Sequence, residues 1–172
     1  MCVGISLMTS EVPLELLDQP ELKRRLYTRG TEPELHFLHR DSRPVLPVWH
    51  EGQLRIVQWG NRDRHDARRL PLTGWTWQAT IEAGGWSAWA PEVVDIPANF
   101  GLENGVWFHV RQGFKGLLVS NGRGEPVVYM ICAPATRYYE VMTRSRRMPV
   151  LIADWTGLAN RWTDDDDPPV TD

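Results

Sequence analysis

The sequence has few cysteines and no long apolar run, and these absences narrow the class of protein. Cys2 and Cys132 are the only cysteines, too few for a secreted scaffold held together by disulfides. No apolar run approaches the roughly 18 residues of a membrane-spanning helix, and the N-terminus lacks the basic region and apolar core of a signal peptide. We therefore expect a soluble, cytoplasmic protein without a membrane partner.

Metal-binding patterns and an excess of basic charge are also missing. The five histidines are scattered, and neither the Cys-x-x-Cys nor the His-Glu-x-x-His spacing occurs, so we predict no metal and no cofactor. Nineteen basic and 22 acidic residues give a net charge of −3, which excludes a bulk polycation. Any nucleic-acid site must therefore be a local patch.

The remaining residues alternate in short apolar runs that indicate strands rather than long helices. The 172 residues suit one domain with a sizeable core. The pattern predicts a single α+β domain over 1–162, with a curled, largely antiparallel and barrel-like sheet flanked by helices, and a disordered acidic tail over 163–172. Strands are predicted over 3–8, 35–39, 45–50, 54–59, 75–82, 93–96, 106–111, 115–119, 127–132 and 148–153, and helices over 12–29 (with a break at Pro20), 135–145 and 154–161.

The start of the chain, Met1-Cys2-Val3-Gly4-Ile5, carries the strongest chemical signal. An aminopeptidase commonly removes an initiator methionine when a small residue follows, and removal would leave Cys2 with a free α-amine beside its thiol. These groups titrate near pH ~8 and ~8.5, so both are partly nucleophilic at neutral pH. An aminothiol can condense with an aldehyde and close a five-membered ring, or attack an acyl centre. The alternative is an ordinary residue of a first strand.

Each of the other candidate functional residues could instead have an ordinary structural role. Glu82 and Glu103 could act as acid or base, or could be solvated surface groups. The arginines of 62–69 and 144–147 could bind phosphates, and those of the second cluster could instead satisfy the carbonyls at a helix end. Trp59 could stack an unpaired base or lie in the core.

Taken together, several short motifs make the chain resemble a known family. The sequence resembles the SRAP proteins, the SOS-response-associated peptidase family, also described as abasic-site DNA–protein crosslinking proteins. The resemblance covers 2–151, and its most specific part is R-M-P-V, the end of the family motif H-x-R-M-P-V. The matching residues are Met1-Cys2, Trp59-Gly60, Ile96-Pro97-Ala98, Gly116-Leu117 and Arg147-Met148-Pro149-Val150.

The resemblance implies a function in the DNA damage response. It implies a curled β-sheet core with a positively charged groove for single-stranded DNA. It also implies that the N-terminal cysteine forms a thiazolidine with the ring-opened sugar of an abasic site, after self-cleavage releases a leading Met. The implied partner is single-stranded DNA with abasic sites, and the implied enzyme class is a self-processing cysteine peptidase with crosslinking or lyase chemistry. We expect a monomer.

Site residues carry over from the family motifs one by one. The nucleophile falls on Cys2, and the catalytic glutamate falls on Glu103. Gln78 stands where the family motif N-A-R-A-E has its asparagine, and Ser145 stands where H-x-R-M-P-V has its histidine. The DNA-binding residues implied by position are Trp59, Gly60, Arg62, Arg146 and Arg147.

Gln78 and Ser145 replace family residues, and the tryptophan-rich stretch 75–89 fits no family motif. These departures are typical of a divergent branch of the family, such as one from phage or prophage. Two main hypotheses follow: an enzyme that traps abasic-site aldehydes, or a module of the same fold that binds single-stranded DNA or a protein partner without crosslinking. A thiol peptidase acting on other proteins is a third hypothesis, with no histidine assigned to activate Cys2.

Overall fold

The computed structural model describes residues 1–155, apart from the side chain of Arg29. This part of the chain folds into twelve strands and four short α-helices. The strands are β1 (Gly4–Met8), β2 (Leu26–Arg29), β3 (Glu32–Leu38), β4 (Val45–His50), β5 (Gln53–Trp59), β6 (Trp75–Trp77), β7 (Glu92–Pro97), β8 (Phe100–Glu103), β9 (Val106–His109), β10 (Gly113–Ser120), β11 (Pro126–Pro134) and β12 (Arg147–Pro149). The α-helices are α1 (Leu14–Leu17), α2 (Pro20–Lys23), α3 (Gln78–Glu82) and α4 (Arg137–Thr143).

Five strands form a closed barrel. They follow the order β10-β7-β4-β5-β11, and a further pairing of β10 with β11 closes the ring. All pairings in the ring are antiparallel except that of β5 with β11. Closure leaves the barrel without exposed sheet edges. The predicted α+β class with a barrel-like core is therefore confirmed.

A second, antiparallel sheet packs against the barrel and carries the N-terminus. Its order is β2-β3-β1-β8-β9, so β1 lies in the middle, paired with β3 on one side and β8 on the other. Its inner side chains, such as Ile5 and Phe37, join barrel residues such as Ile96 in one buried cluster. The first residues of the chain are consequently held between two strands.

The predicted helix over 12–29 is wrong. Two single-turn helices, α1 and α2, occupy its first half, and β2 occupies its second half as a hairpin with β3. Pro20 begins α2 at a position where its missing N–H costs nothing, so it separates the two turns. Of the leucines in the supposed stripe, Leu22 is buried, but Leu14 and Leu26 are exposed, so no continuous helical face exists to be packed.

Some predicted bounds need correction, one strand was missed, and two predicted segments lie wholly or mostly outside the described residues. The strand predicted over 148–153 ends at Pro149, and residues 152–154 form a 3-10 helix. The strand predicted over 75–82 ends at Trp77, where α3 begins. Strand β8 was not predicted, although the residues after it, Asn104 and Gly105, both have positive φ and make the tight turn into β9 that an Asn-Gly pair favours. Most of the predicted helix 154–161, and all of the acidic tail 163–172, lie beyond the described residues.

Gly60, directly after β5, illustrates how tightly the barrel end is packed. Its φ is +70°, and a Cβ there would lie 2.3 Å from the backbone oxygen of Thr73. We expect Gly60→Ala to lower the free energy of unfolding by about 3 kcal/mol or more. Gly52 is the matched control, because its φ is +75° but no atom lies within 4 Å of the added Cβ, so its cost should be about 1–2 kcal/mol. Urea unfolding of both variants tests this difference, and equal losses would contradict it.

Candidate active site at the N-terminus

A buried carboxylate holds the first residue of the chain. Glu103 ends β8 and is 1% exposed, and its Oε1 atom lies 2.5 Å from the Met1 ammonium. Its other oxygen, Oε2, accepts a hydrogen bond of 3.3 Å from the hydroxyl of Tyr139 on α4. Since a buried carboxylate is costly unless a cation compensates it, this ion pair fixes the α-amine at a defined place.

Ser145 provides the second anchor for the amine. Its Oγ accepts a hydrogen bond of 3.2 Å from the Met1 ammonium and donates one of 2.9 Å to the carbonyl of Arg147. Ser145 follows the left-handed Arg144 that ends α4. The side chain of Asn104 donates to the carbonyl of Thr143 at 2.8 Å and so ties the β8–β9 turn to this end of α4. The fold thereby brings Glu103 and Ser145 to the same atom.

The Cys2 side chain points into the core. It is fully buried, and its thiol donates to the carbonyl of Gly4 at 3.2 Å. Burial raises the pKa of the Cys2 thiol to about 12, so the thiol is protonated at neutral pH. The Cys2 carbonyl accepts a hydrogen bond of 2.9 Å from the indole N–H of Trp75. With Met1 in place, Cys2 is therefore a buried core residue just before β1.

A small pocket opens beside the amine. Its volume is about 100 Å³, and it is lined by Met1, Thr73, Trp75, Thr76, Trp77, Cys132 and Arg147. The Arg147 guanidinium lies over the Trp77 ring, 4.6 Å from its centroid, and its Nη1 lies 3.5 Å from the Met1 sulfur. The Cys132 thiol is 2% exposed, and burial raises its pKa to about 12. An exposed cation and the residue that carries the α-amine thus line one opening.

The structure does not bring every sequence-predicted residue to this place. Gln78 is buried at the start of α3, and within the described residues its side chain makes no hydrogen bond to Met1, Cys2 or Glu103. Arg146 is close in sequence to the site but 92% exposed, with its nearest acidic partner Glu140 at 3.7 Å. Arg146 is thus free to meet a ligand, whereas Gln78 does not touch the amine.

Trp59 and Gly60 do not form a base-stacking surface, and that prediction is corrected. Trp59 is fully buried, its indole N–H donates to the carbonyl of Gly74 at 2.9 Å, and its ring packs against His39 and Trp75. The N–H of Gly60 donates to a carbonyl of β11 at 2.8 Å. The Trp59 ring is already covered by other core residues, so it cannot stack a base. The Gly60 N–H is already used in a hydrogen bond within the barrel.

Arg62 combines an exposed position with internal bonds. Its guanidinium donates to the carbonyl of Asp41 at 2.9 Å and to the carbonyl of His39. These bonds close the loop after β3. They use two of the five N–H donors of this exposed guanidinium, so the other donors can still meet a phosphate.

Sequence reasoning missed four residues around the amine: Tyr139, Trp75, Trp77 and Cys132. Trp75 and Trp77 are two residues apart on β6, so the sequence predicts that they share a face. It does not predict the parallel pairing that places β6 beside the end of β11. Tyr139 lies on a helix that was predicted, and only the tertiary fold shows which of its residues meets Glu103. No local pattern marks Cys132 as a neighbour of the N-terminus.

Residues 1–155 contain no cluster of three or more side chains suited to hold a metal ion. In the same range, no helix is long and apolar enough to cross a membrane. Comparison of the chain with protein-family models, with curated proteins and with solved structures gave no match.

Proposed function

We propose that the protein binds single-stranded DNA and covalently traps abasic-site aldehydes through Cys2, once Met1 has been removed, in a DNA damage response. One observation carries the proposal: the N-terminal amine is held against a buried carboxylate, at the edge of a pocket with an exposed arginine. A carboxylate at this distance can take up and return the amine proton, and imine formation requires both transfers.

The reaction balances with the groups at the site. The Cys2 amine adds to the aldehyde carbon, Glu103 takes up and returns a proton, and one water leaves as the C=N bond forms. The thiol sulfur then bonds to the imine carbon while the thiol proton passes to nitrogen, which closes the thiazolidine. Removal of Met1 moves the free amine by one residue, or about 3.8 Å along the chain, so it stays near Glu103.

Binding of the DNA strand is assigned to the exposed cations beside the pocket. Arg147 and Arg146 lie on and next to β12, and the Trp77 ring under the Arg147 guanidinium takes the base-stacking role first assigned to Trp59. Phosphate contacts of this kind should weaken as salt rises, because counterions are released on binding.

The decisive test is crosslinking to a single strand that carries one abasic site. The trimmed chain, verified by intact mass, should give an adduct stable on a denaturing gel, and Cys2→Ala should reduce its yield at least about tenfold, because without the thiol the imine is not locked. A strand with a tetrahydrofuran residue, which has no aldehyde, is the matched control. If Cys2→Ala and the unsubstituted trimmed chain gave equal yields of adduct, the proposal would be wrong.

A second candidate is the same fold used only for binding. The buried Cys2 thiol, with its raised pKa and its bond to Gly4, favours it. In that case the trimmed chain would bind the tetrahydrofuran strand and the abasic strand equally, and no denaturation-resistant adduct would form with either.

A further inference from the structure

We propose that a chain keeping Met1 also captures aldehydes, as a reversible imine on the Met1 nitrogen that Glu103 and Ser145 hold. This inference rests on the proposed function for its substrate class. It adds a second activity, in which no thiol takes part, to the same site.

The position of the Met1 nitrogen supports it. The nitrogen is 2.5 Å from Glu103 Oε1 and 3.2 Å from Ser145 Oγ, while Met1 itself is 37% exposed. The same residue lines the pocket under Arg147. An incoming carbonyl therefore meets Met1 at the pocket, and the proton acceptor bound to the Met1 nitrogen is a buried carboxylate.

Glu103 supplies the proton transfers that the reaction needs. The ammonium gives a proton to the carboxylate, and the free amine adds to the aldehyde carbon. Glu103 then returns the proton to the leaving hydroxyl, and water departs as the C=N bond forms. No oxidant, reductant or metal enters this sequence.

The adduct on Met1 cannot close into a thiazolidine. Met1 has no thiol on its β-carbon, and the Cys2 nitrogen is part of a peptide bond in this chain. The Cys2 sulfur is fully buried against the carbonyl of Gly4. Water can therefore reverse the imine, and only chemical reduction makes the bond permanent.

The composition of the chain makes this inference unusually easy to test. Lys23 and Lys115 are the only lysines, so only two side-chain amines compete with the N-terminus. Lys115 forms an ion pair with Asp95 on the neighbouring strand β7. A reduced adduct can thus be assigned to one of three nitrogens by peptide mass.

The experiment compares two forms of the protein. Expression with an inhibitor of methionine aminopeptidase gives the Met1-bearing chain, and its intact mass verifies it. Incubation with an abasic single strand and borohydride should give an adduct on the Met1 nitrogen, and omission of borohydride should remove at least about 90% of it. Acetylation of the Met1 nitrogen, or Glu103→Gln, should lower the reduced adduct at least about tenfold.

Two results would overturn the inference: an adduct confined to the lysines, or equal yields from the free and acetylated chains. Either would leave the proposed function intact if the trimmed chain still crosslinks without borohydride. Conversely, a reducible adduct on Met1 together with an unreactive trimmed chain would end the proposed function and keep the inference. Thermal melts of each form establish that it is folded, and the acetylated chain needs no substitution at all.

Discussion

Replacement of Glu103 by glutamine is expected to slow aldehyde capture by the trimmed chain by about 10²–10⁴-fold, the usual contribution of a positioned acid–base group. Glutamine keeps the shape of the side chain, but it has one acceptor oxygen instead of two and cannot take the proton of the ammonium. The rate should be measured in single turnover, from the appearance of the adduct on a denaturing gel.

Two matched controls make this prediction specific. Tyr139→Phe removes only the hydrogen bond of 3.3 Å to Glu103 Oε2, so it should slow capture much less than Glu103→Gln. Asp95→Asn removes a carboxylate that pairs with Lys115, and it should leave the rate within about twofold. If Glu103→Gln reacts as fast as the unsubstituted chain, the carboxylate has only a structural role.

Stability measurements separate the two roles of Glu103. Acetylation of Met1 leaves a carboxylate that is 1% exposed without its cation, whereas Glu103→Gln leaves a partly exposed ammonium that water can solvate. We therefore expect acetylation to lower the melting temperature more than the substitution does. The acetylated Glu103→Gln chain should melt higher than the acetylated parent, because the groups are coupled. Additive losses would show that the ion pair contributes no coupling.

The strands of the barrel were predictable because their local pattern and their tertiary environment agree. Val45–His50 has the predicted bounds. The next two residues, Glu51 and Gly52, have positive φ values and make the turn into β5, and an alternating run beside such a turn specifies its own geometry. The segment 12–29 failed for the opposite reason. Its leucines follow a helical spacing, but residues 26–29 pair with β3. This pairing stabilises a strand more than packing of a solvent-exposed helix face would have stabilised a helix.

The site was predictable only in part. Glu103 and Ser145 were reached through motif resemblance, and the fold brings both to the Met1 nitrogen from positions 102 and 144 residues away. No periodicity links residues so far apart. Trp59 was misassigned because a tryptophan at a strand end looks the same in sequence whether it faces solvent or core, and only the pairing of β5 with β11 decides that it is covered.

Trp59→Ala is expected to lower the free energy of unfolding by about 3–5 kcal/mol, as removal of a large buried ring does. Trp59 is fully buried, and its ring packs against His39, in the turn after β3, and Trp75 on β6, so its loss leaves a cavity. For a chain of this size the melting temperature should fall by about 6–20 °C. Trp49→Ala is the matched control: Trp49 is 41% exposed on β4 of the same barrel, so its loss should cost less than about 1 kcal/mol.

The same residue tests where the DNA strand lies. Trp59→Phe keeps most of the buried ring volume and loses only the hydrogen bond to Gly74, so the variant should fold and bind the tetrahydrofuran strand as tightly as the parent. Trp77→Ala should instead weaken that binding by about 10-fold or more, because the Trp77 ring is only half-buried and base stacking on an aromatic ring contributes about 1–3 kcal/mol per base. If Trp59→Phe lost affinity while Trp77→Ala did not, the strand would have to run along the Trp59 end of the barrel, away from the amine that Glu103 holds.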